Sequence, residues 1–367
     1  MRWVLDEPAF LVMFEKNYHM NLLVYLTLIF CSCAVLADKQ KTTSADPIVR
    51  DTLVYTNPVF EPVLADPSVV QVGDEFFAYG TEDNWGEEGG YHLVPVIKSK
   101  DLVNWEVVGN SMTNKPDWKE RGGIWAPDVT KVGDQFYMYY SFSTWGDSNP
   151  GVGLAIAKSP EGPFVDQGKV FDSEDIGVAN SIDPFYIGKD GKKYLIWGSF
   201  HGLFLTKLTA DGLKPQGQKI QVAGNHLEAA YVFQKDGYYY LFGSAGTCCE
   251  GANSTYKVLV GRSENLEGPY VDQNGKSMLE TDSGTLVVGT NTSGNGYAGP
   301  GHNAEIVTDD EGQDWLLYHG MAKQKPKLNN GTNRRVLLLD RLIWVDGWPS
   351  VSGKEPSISS QESPVFH

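Results

Sequence analysis

The chain repeats one pattern of polar turn and apolar strand five times. Each copy begins with a turn containing Gly or Asp, continues as an aromatic-rich apolar run and ends close to a small residue. The five copies are VGDEFFAYGT (72–81), VGDQFYMYYS (132–141), GKDGKKYLIWGS (188–199), QKDGYYYLFGS (234–244) and DDEGQDWLLYHG (309–320). A turn signal followed by such a run predicts a β-hairpin.

A second pattern follows three of the copies and predicts further strands of the same unit. It comprises KSKDLVNWEVVG (98–109), AKSPEGPFVDQG (157–168) and GRSENLEGPYVDQNG (261–275). The spacing suits the four-stranded blade of a β-propeller, which takes about 40–50 residues with loop insertions. Residues 38–367 contain no long helical periodicity. We therefore predict an all-β fold, a five-bladed β-propeller over residues 56–353, in which the two strand-like runs of 334–351 complete the last blade.

Composition agrees with this fold and narrows the choice of ligand. Of the 367 residues 12% are aromatic, and Gly is abundant, as strands and tight turns require. The formal net charge of −16 should repel nucleic acid and anionic membrane surfaces. We expect a neutral ligand such as a sugar, no nucleic-acid partner and a monomer.

An apolar stretch near the N-terminus predicts a secretory signal. It runs from Asn21 to Ala37, and the polar segment DKQKTTS follows. Val35 and Ala37 are small residues at the positions expected before a cleavage site. Acidic residues precede the stretch where positive charge is usual, so Met20 is an alternative start. A lipid anchor at Cys33 is an alternative to free secretion.

These signals divide the chain into four parts. We assign residues 1–37 to the signal peptide, 38–55 to a lead-in segment, 56–353 to the catalytic propeller and 354–367 to a C-terminal tail. The tail is either loose or a closing strand. We predict a secreted or periplasmic protein, without strong membrane association apart from the alternative lipid anchor.

Two adjacent cysteines, Cys248 and Cys249, remain after the signal. They are not a disulfide scaffold of the kind that holds small secreted domains together. Two interpretations stay open. The pair is either two reduced thiols or a vicinal disulfide that shapes a loop.

A polar segment precedes each of the five copies. The segments are ADPSVV with Asp66, WAPDV with Asp128, SIDPFY with Asp183, HLEAAYVF with Glu228, and GPGHNAEIV with His302 and Glu305. The innermost strand of a propeller blade begins at the central axis, so residues there converge from different blades. Glycoside hydrolysis usually needs two carboxyl groups across the scissile bond. We expect Asp66, Asp183 and Glu228 to be functional, and Asp128 to cap or orient a strand.

These segments resemble glycoside hydrolase family 43, and within it the arabinan endo-1,5-α-L-arabinosidases. The resemblance extends from about residue 60 to residue 349 and includes GGIWAPDV, NSIDPFY, GPYVD (268–272) and GWP (347–349). The run CCEGANSTYKVLVGRS (248–263) and the segment GPGHN (299–303) are typical of the arabinanase-like branch. The carboxylate segments alone indicate only the wider family.

The resemblance assigns a role to each carboxyl group. It implies that Asp66 is the general base, that Glu228 is the general acid, and that Asp183 raises the pKa of the acid and orients it. Such enzymes invert the anomeric configuration, with the base and acid about 6.5–9.5 Å apart to leave room for water. The resemblance also implies that His302 binds a metal, calcium, largely through water, and that no organic cofactor is needed.

Sugar recognition usually combines aromatic platforms with a few polar groups. We expect Trp125 and Phe200 to be platforms and Asn180 to bond a sugar hydroxyl. Trp85 and Trp145 either widen the cleft or pack as ordinary core or rim residues. Two features depart from the family pattern: Ala229-Ala230 after the acid, and the Lys- and Asn-rich loop 321–334.

The predicted activity is secreted hydrolysis of α-1,5-linked arabinan, and other readings remain. An exo-acting α-L-arabinofuranosidase or a β-xylosidase would use the same carboxylates, with arabinoxylan or xylan as substrate. A non-catalytic sugar-binding propeller is less compatible with three retained carboxylates. In a fructan hydrolase the segment around the first aspartate would read Asn-Asp-Pro-Asn, whereas here the segment around Asp66 reads Ala-Asp-Pro-Ser.

Overall fold

The computed structural model describes residues 53–367, which form a ring of five antiparallel sheets around a central axis. The predicted five-bladed β-propeller is therefore confirmed. The signal peptide, the alternative anchor at Cys33 and most of the lead-in segment lie outside the described residues. Within residues 53–367 no helix is long and apolar enough to span a membrane.

The strands are β1 (Val54–Tyr55), β2 (Ser68–Val72), β3 (Glu75–Tyr79), β4 (Asp83–Asn84), β5 (Tyr91–His92), β6 (Pro95–Ser99), β7 (Glu106–Asn110), β8 (Gly123–Val132), β9 (Gln135–Ser143), β10 (Gly151–Ala157), β11 (Val165–Asp172), β12 (Phe185–Lys189), β13 (Lys192–Trp197), β14 (Leu203–Leu208), β15 (Pro215–Ala223), β16 (Glu228–Lys235), β17 (Tyr238–Ala245), β18 (Lys257–Ser263), β19 (Thr285–Val288), β20 (Tyr297–Gly301), β21 (Val307–Thr308), β22 (Asp314–Ala322), β23 (Val336–Arg341), β24 (Ile343–Val345), β25 (Trp348–Ser350) and β26 (Gln361–Glu362). The helical segments are α1 (Ser173–Ile176) and the 3-10 turns Gly86–Glu88, Gly251–Asn253 and Ser352–Lys354.

Consecutive strands build the blades. Blade 1 has the order β2-β3-β6-β7, and blades 2, 3 and 4 are formed by β8 to β11, β12 to β15 and β16 to β19. In blade 5, β20 and β21 both pair with β22, which pairs with β23. Each of the five sequence copies is the hairpin between the first two strands of a blade. A glycine with positive φ lies in every one of these turns: Gly73, Gly133, Gly191, Gly237 and Gly312.

The second strand of each blade carries the core. In β9 every residue from Phe136 to Ser143 is buried, and β22 is buried from Asp314 to Met321. Both faces are covered because neighbouring blades pack face to face around the ring. Continuous apolar runs rather than strict alternation follow from this two-sided burial.

The two ends of the described chain close the ring. Phe60 forms an antiparallel bridge with Leu337, which places the N-terminal segment at the outer edge of blade 5. β1 pairs with β26, so part of the C-terminal tail is a strand. Of the two runs predicted to complete the last blade, β23 joins its sheet, while β24 and β25 form a separate hairpin.

The innermost strands share one unusual backbone feature at the axis. One residue near the axis in each blade has a positive φ. Asp66 and Asp183 lie just before β2 and β12, Ala126 and Ala229 lie within β8 and β16, and His302 directly follows β20. A small axial cavity lies behind them and is lined from all five blades. Recurrence of a conformation that non-glycine residues rarely adopt identifies these five positions as equivalent.

Two further carboxyl groups on the axis join blades together. Asp128 accepts a hydrogen bond from the backbone N–H of Tyr186 at 2.8 Å, which ties blade 2 to blade 3. Glu305 accepts one from the Ser68 hydroxyl at 3.0 Å, which ties blade 5 to blade 1. Burial, together with the charge of Glu305, raises the pKa of Asp128 well above its usual value. Asp128 therefore orients strands, as expected from the sequence.

Candidate active site

Asp66, Asp183 and Glu228 meet at one end of the axis, from blades 1, 3 and 4. Asp66 and Asp183 occupy equivalent positions of their blades, and Glu228 lies one residue before the equivalent position in blade 4. The charges of Asp66 and Glu228 both act on the carboxyl of Asp183. Recurrence at the start of the inner strand thus brings the three predicted carboxyl groups together.

Cationic and hydroxyl groups surround Asp66. The Arg335 guanidinium lies 3.1 Å from both carboxylate oxygens, and the Thr81 hydroxyl donates to Oδ2 at 2.6 Å. His302 Nδ1 is 3.3 Å from Oδ1. Burial opposes ionisation, but the charges of Arg335 and His302 outweigh it and hold the pKa of Asp66 well below its usual range. Asp66 is therefore ionised at neutral pH.

The pKa values of Asp183 and Glu228 are shifted in the opposite direction, above their usual values. Burial raises the pKa of Asp183 to about 8, and the charge of Glu228 adds to this shift. Burial also raises the pKa of Glu228, against the effect of hydrogen bonds from Ser199 and Tyr256. The Ser199 hydroxyl donates to Glu228 Oε2 at 2.6 Å. The pair thus retains a proton at neutral pH, a property that belongs to both groups together.

The predicted sugar platforms differ in accessibility. Trp145 is 82% exposed and lies 5.7 Å, centroid to centroid, from the half-buried Trp125. Phe200 is 38% exposed. Trp85 is only 2% exposed, because Phe60 and His92 pack against its ring, so it belongs to the core rather than to a widened cleft.

Asn180 is linked to Glu228 through Ser199. Its side-chain amide donates to the backbone carbonyl of Ser199 at 3.1 Å, and Ser199 in turn bonds Glu228. An amide held in this way retains hydrogen-bonding capacity for a ligand.

Five contacts of the carboxylates were missed from the sequence: Thr81, Ser199, Tyr256, His319 and Arg335. Thr81, Ser199 and His319 lie at or next to the small residues that end repeat copies, and Tyr256 lies within the Ser-Thr-Tyr run. These four had a positional signal. Arg335 had none, because it follows the loop that departs from the family pattern.

That loop connects two sides of the face that carries the carboxylates. Arg334 pairs with Glu88 at 2.7 Å in the blade 1 insertion, and the Asn333 amide donates to the carbonyl of Cys249 at 3.2 Å. Cys248 and Cys249 form a disulfide, which selects one of the two interpretations left open by the sequence. The loop thereby places Arg335 next to Asp66.

The predicted calcium ligand, His302, does not form a protein-built calcium site. Nowhere in residues 53–367 is there a group of three or more His, Cys, Asp or Glu side chains that could hold a metal ion. Calcium takes six to eight oxygen ligands. Burial disfavours the imidazolium, but Asp66 and the other carboxylates outweigh it and raise the pKa of His302. His302 is thus in direct contact with Asp66, with its Nδ1 3.3 Å from Oδ1.

Comparison with known proteins fits this arrangement. The family model for glycosyl hydrolases family 43 matches residues 55–349. The chain belongs to this family.

Family 43 relatives include enzymes with both modes of cleavage. An extracellular endo-α-(1→5)-L-arabinanase of Bacillus subtilis is 36% identical over 303 residues, which cover 78% of this chain and 87% of the relative. An extracellular exo-α-(1→5)-L-arabinofuranosidase of Cellvibrio japonicus is 30% identical, over 79% of this chain and 86% of the relative. A solved α-L-arabinanase of Cellvibrio cellulosa, complexed with arabinohexaose, matches with a TM-score of 0.69 at 29% identity. That match covers 80% of this chain and 97% of the solved chain.

Proposed function

We propose that this family 43 chain is a secreted glycoside hydrolase that cleaves α-1,5-linked arabinan with inversion of configuration. The observation that carries the proposal is the contrast between an ionised Asp66 and a proton-retaining Asp183–Glu228 pair at one end of the axis. Hydrolysis with inversion needs a base and an acid at the same pH. Arabinan is chosen because the relatives are named for it.

In this proposal each carboxyl group has one task. Asp66 accepts a proton from the attacking water. Glu228 donates a proton to the leaving glycosidic oxygen, and the buried Asp183 keeps that proton on the pair. Arg335 and Thr81 hold the Asp66 carboxylate in place through their hydrogen bonds.

Exo cleavage is the second candidate, since one relative is named an exo-acting arabinofuranosidase. To separate the two, the purified protein is incubated with linear 1,5-arabinan and, in parallel, with xylan, and product sizes are followed by chromatography. We expect mixed arabino-oligosaccharides early in the reaction. Arabinose alone from the start would assign exo cleavage, and xylose with intact arabinan would assign a xylosidase. Absence of products from both would contradict the proposal.

The pH dependence follows from the two opposite shifts. The retained proton is lost as the pH rises through about 8, so kcat/KM should fall about tenfold per pH unit above that value. Because the pKa of Asp66 lies well below its usual range, the base should stay ionised, and activity should persist, down to about pH 4. Initial rates across pH 4–10 would check this. A decline on the alkaline side that begins below pH 6 would contradict it.

Export and metal binding complete the proposal. Several relatives are named extracellular, which supports secretion of this chain. Lipid anchoring at Cys33 remains an alternative. We also propose that His302 binds calcium, with water supplying most of the ligands.

A further inference from the structure

The residues with positive φ at the axis form hydrogen bonds with neighbouring blades. In three cases the residue with positive φ donates its backbone N–H to a hydroxyl of the preceding blade: Ala126 to Thr81 at 2.9 Å, Asp183 to Ser141 at 2.9 Å, and His302 to Ser244 at 2.8 Å. In blade 4 the N–H of Ala229 bonds the Asp183 carboxyl instead. Each bond fixes one inner strand relative to the preceding blade.

At the general base this hydrogen bond is made by a histidine. The N–H of Asp66 donates to His319 Nδ1 at 3.1 Å. His319 pairs with Gly301 in the sheet register, as Ser141 pairs with Trp125 in blade 2, so the two side chains occupy equivalent positions. A hydroxyl satisfies the same bond in blades 2, 3 and 5. The imidazole is larger than this hydrogen bond requires, and its additional size allows a further contact.

What the imidazole adds is a contact with Tyr256. The two rings stack with centroids 5.8 Å apart and planes 16° apart, and both side chains are buried. A Cβ atom on Gly301 would lie 2.1 Å from the Tyr256 ring, so the ring is tightly enclosed on that side as well. The Tyr256 hydroxyl hydrogen-bonds Glu228. A continuous packed path thus runs from the backbone of Asp66 to the carboxyl of Glu228.

The protonation state of His319 fits a positional role. Its Nδ1 must carry a lone pair to accept the Asp66 N–H, so the ring proton resides on Nε2. Burial lowers the pKa of His319 to about 3, which keeps the imidazole neutral. The approach of Nδ1 to Asp66 Oδ1 at 3.4 Å is therefore not an ion pair.

We propose that His319 and Tyr256 are positioning residues that together form a rigid spacer fixing the separation between Asp66 and Glu228. The inference rests on the proposed function, in which these two carboxyl groups are base and acid. Inversion requires a separation that admits one water, and misplacement by about 1 Å can cost about 10²-fold in rate. The spacer sets this distance through two buried rings that stack on each other.

Three variants separate the spacer from the backbone bond. His319→Ser supplies the hydroxyl used by other blades but removes the stack. Tyr256→Phe keeps the stack but removes the hydroxyl that reaches Glu228. The double variant His319→Ser/Tyr256→Phe tests whether the two act as a unit, because residues of one unit give non-additive effects. Thermal unfolding of each variant confirms that the fold is retained.

We expect each single variant to lower kcat on linear 1,5-arabinan about 10- to 100-fold with less than about threefold change in KM, and the double variant to be little worse than the poorer single one. Tyr256→Phe should lose less on an aryl arabinofuranoside with a good leaving group, which depends little on the acid. Folded single variants with kcat within about threefold of the wild type, or strictly multiplicative losses, would overturn the spacer. A wild type inactive on both substrates would instead overturn the proposed function and the inference with it.

Discussion

Replacing Glu228 with Gln is expected to lower kcat on linear 1,5-arabinan by about 10³–10⁴-fold, at the upper end of the contribution of general acid catalysis. The amide keeps the size of the side chain but cannot protonate the leaving sugar oxygen. On a dinitrophenyl arabinofuranoside, whose leaving group needs no proton, the loss should be no more than about tenfold. The measurement is a pair of initial-rate series on the two substrates.

A matched control excludes a general effect of the substitution. Glu250 is an exposed glutamate close to the site in sequence, and Glu250→Gln should retain wild-type rates on both substrates. Circular dichroism should show the same thermal unfolding for the wild type and for Glu228→Gln. If folded Glu228→Gln retains more than a tenth of the wild-type rate on arabinan, the acid has been assigned to the wrong residue.

Asp66→Asn is expected to lower the rate on both substrates by about 10³-fold, because the attacking water needs a base whatever the leaving group. This equal loss distinguishes it from the selective loss in Glu228→Gln. Azide is an anion and needs no base to remove a proton when it attacks. It should therefore restore part of the rate on the activated substrate, with a glycosyl azide as the product. Rates with and without azide check both expectations.

The corresponding control is Asp134→Asn, an exposed aspartate in the first hairpin turn of blade 2. It should behave as the wild type and show no response to azide. Selective loss on arabinan alone in Asp66→Asn would assign Asp66 to the acid rather than to the base. Unchanged rates on both substrates would remove it from the mechanism.

The fold prediction rested mainly on the fivefold repeat of turn and apolar strand. Five hairpins recur with a glycine turn and an apolar second strand because every blade packs between two neighbouring blades in the same way. The carboxyl groups were found for the same reason: Asp66 and Asp183 occupy the same position of their blades, and Glu228 lies one residue away from it. A recurring position is visible in sequence even when its chemistry differs between copies.

Contacts between distant segments were not visible in this way. Arg335 reaches Asp66 from the far end of the chain, and nothing in its local sequence marks it. Trp85 directly follows the first repeat copy, a position where a residue could line the cleft. Phe60, which lies between β1 and β2, packs against its ring instead. His319 and Tyr256 each have a place in a motif, yet their stack appears only when blades 4 and 5 are packed together.

The ring closure had no periodic signal either. Phe60 makes a single bridge to Leu337, and β1 and β26 are two residues long. Such short pairings fall below the length at which strand periodicity can be read. The tail could therefore be predicted only as either loose or a closing strand.

Asp66 and Glu228 are assigned to opposite sides of the scissile bond, and proton NMR of the first product from linear 1,5-arabinan is the sharpest test of that assignment. In a reaction sampled before mutarotation, the new reducing end should appear first as the β-anomer and only later equilibrate with the α-anomer. An α-anomer at the earliest time points would mean retention of configuration, and it would contradict the assignment of Asp66 as a base acting on water.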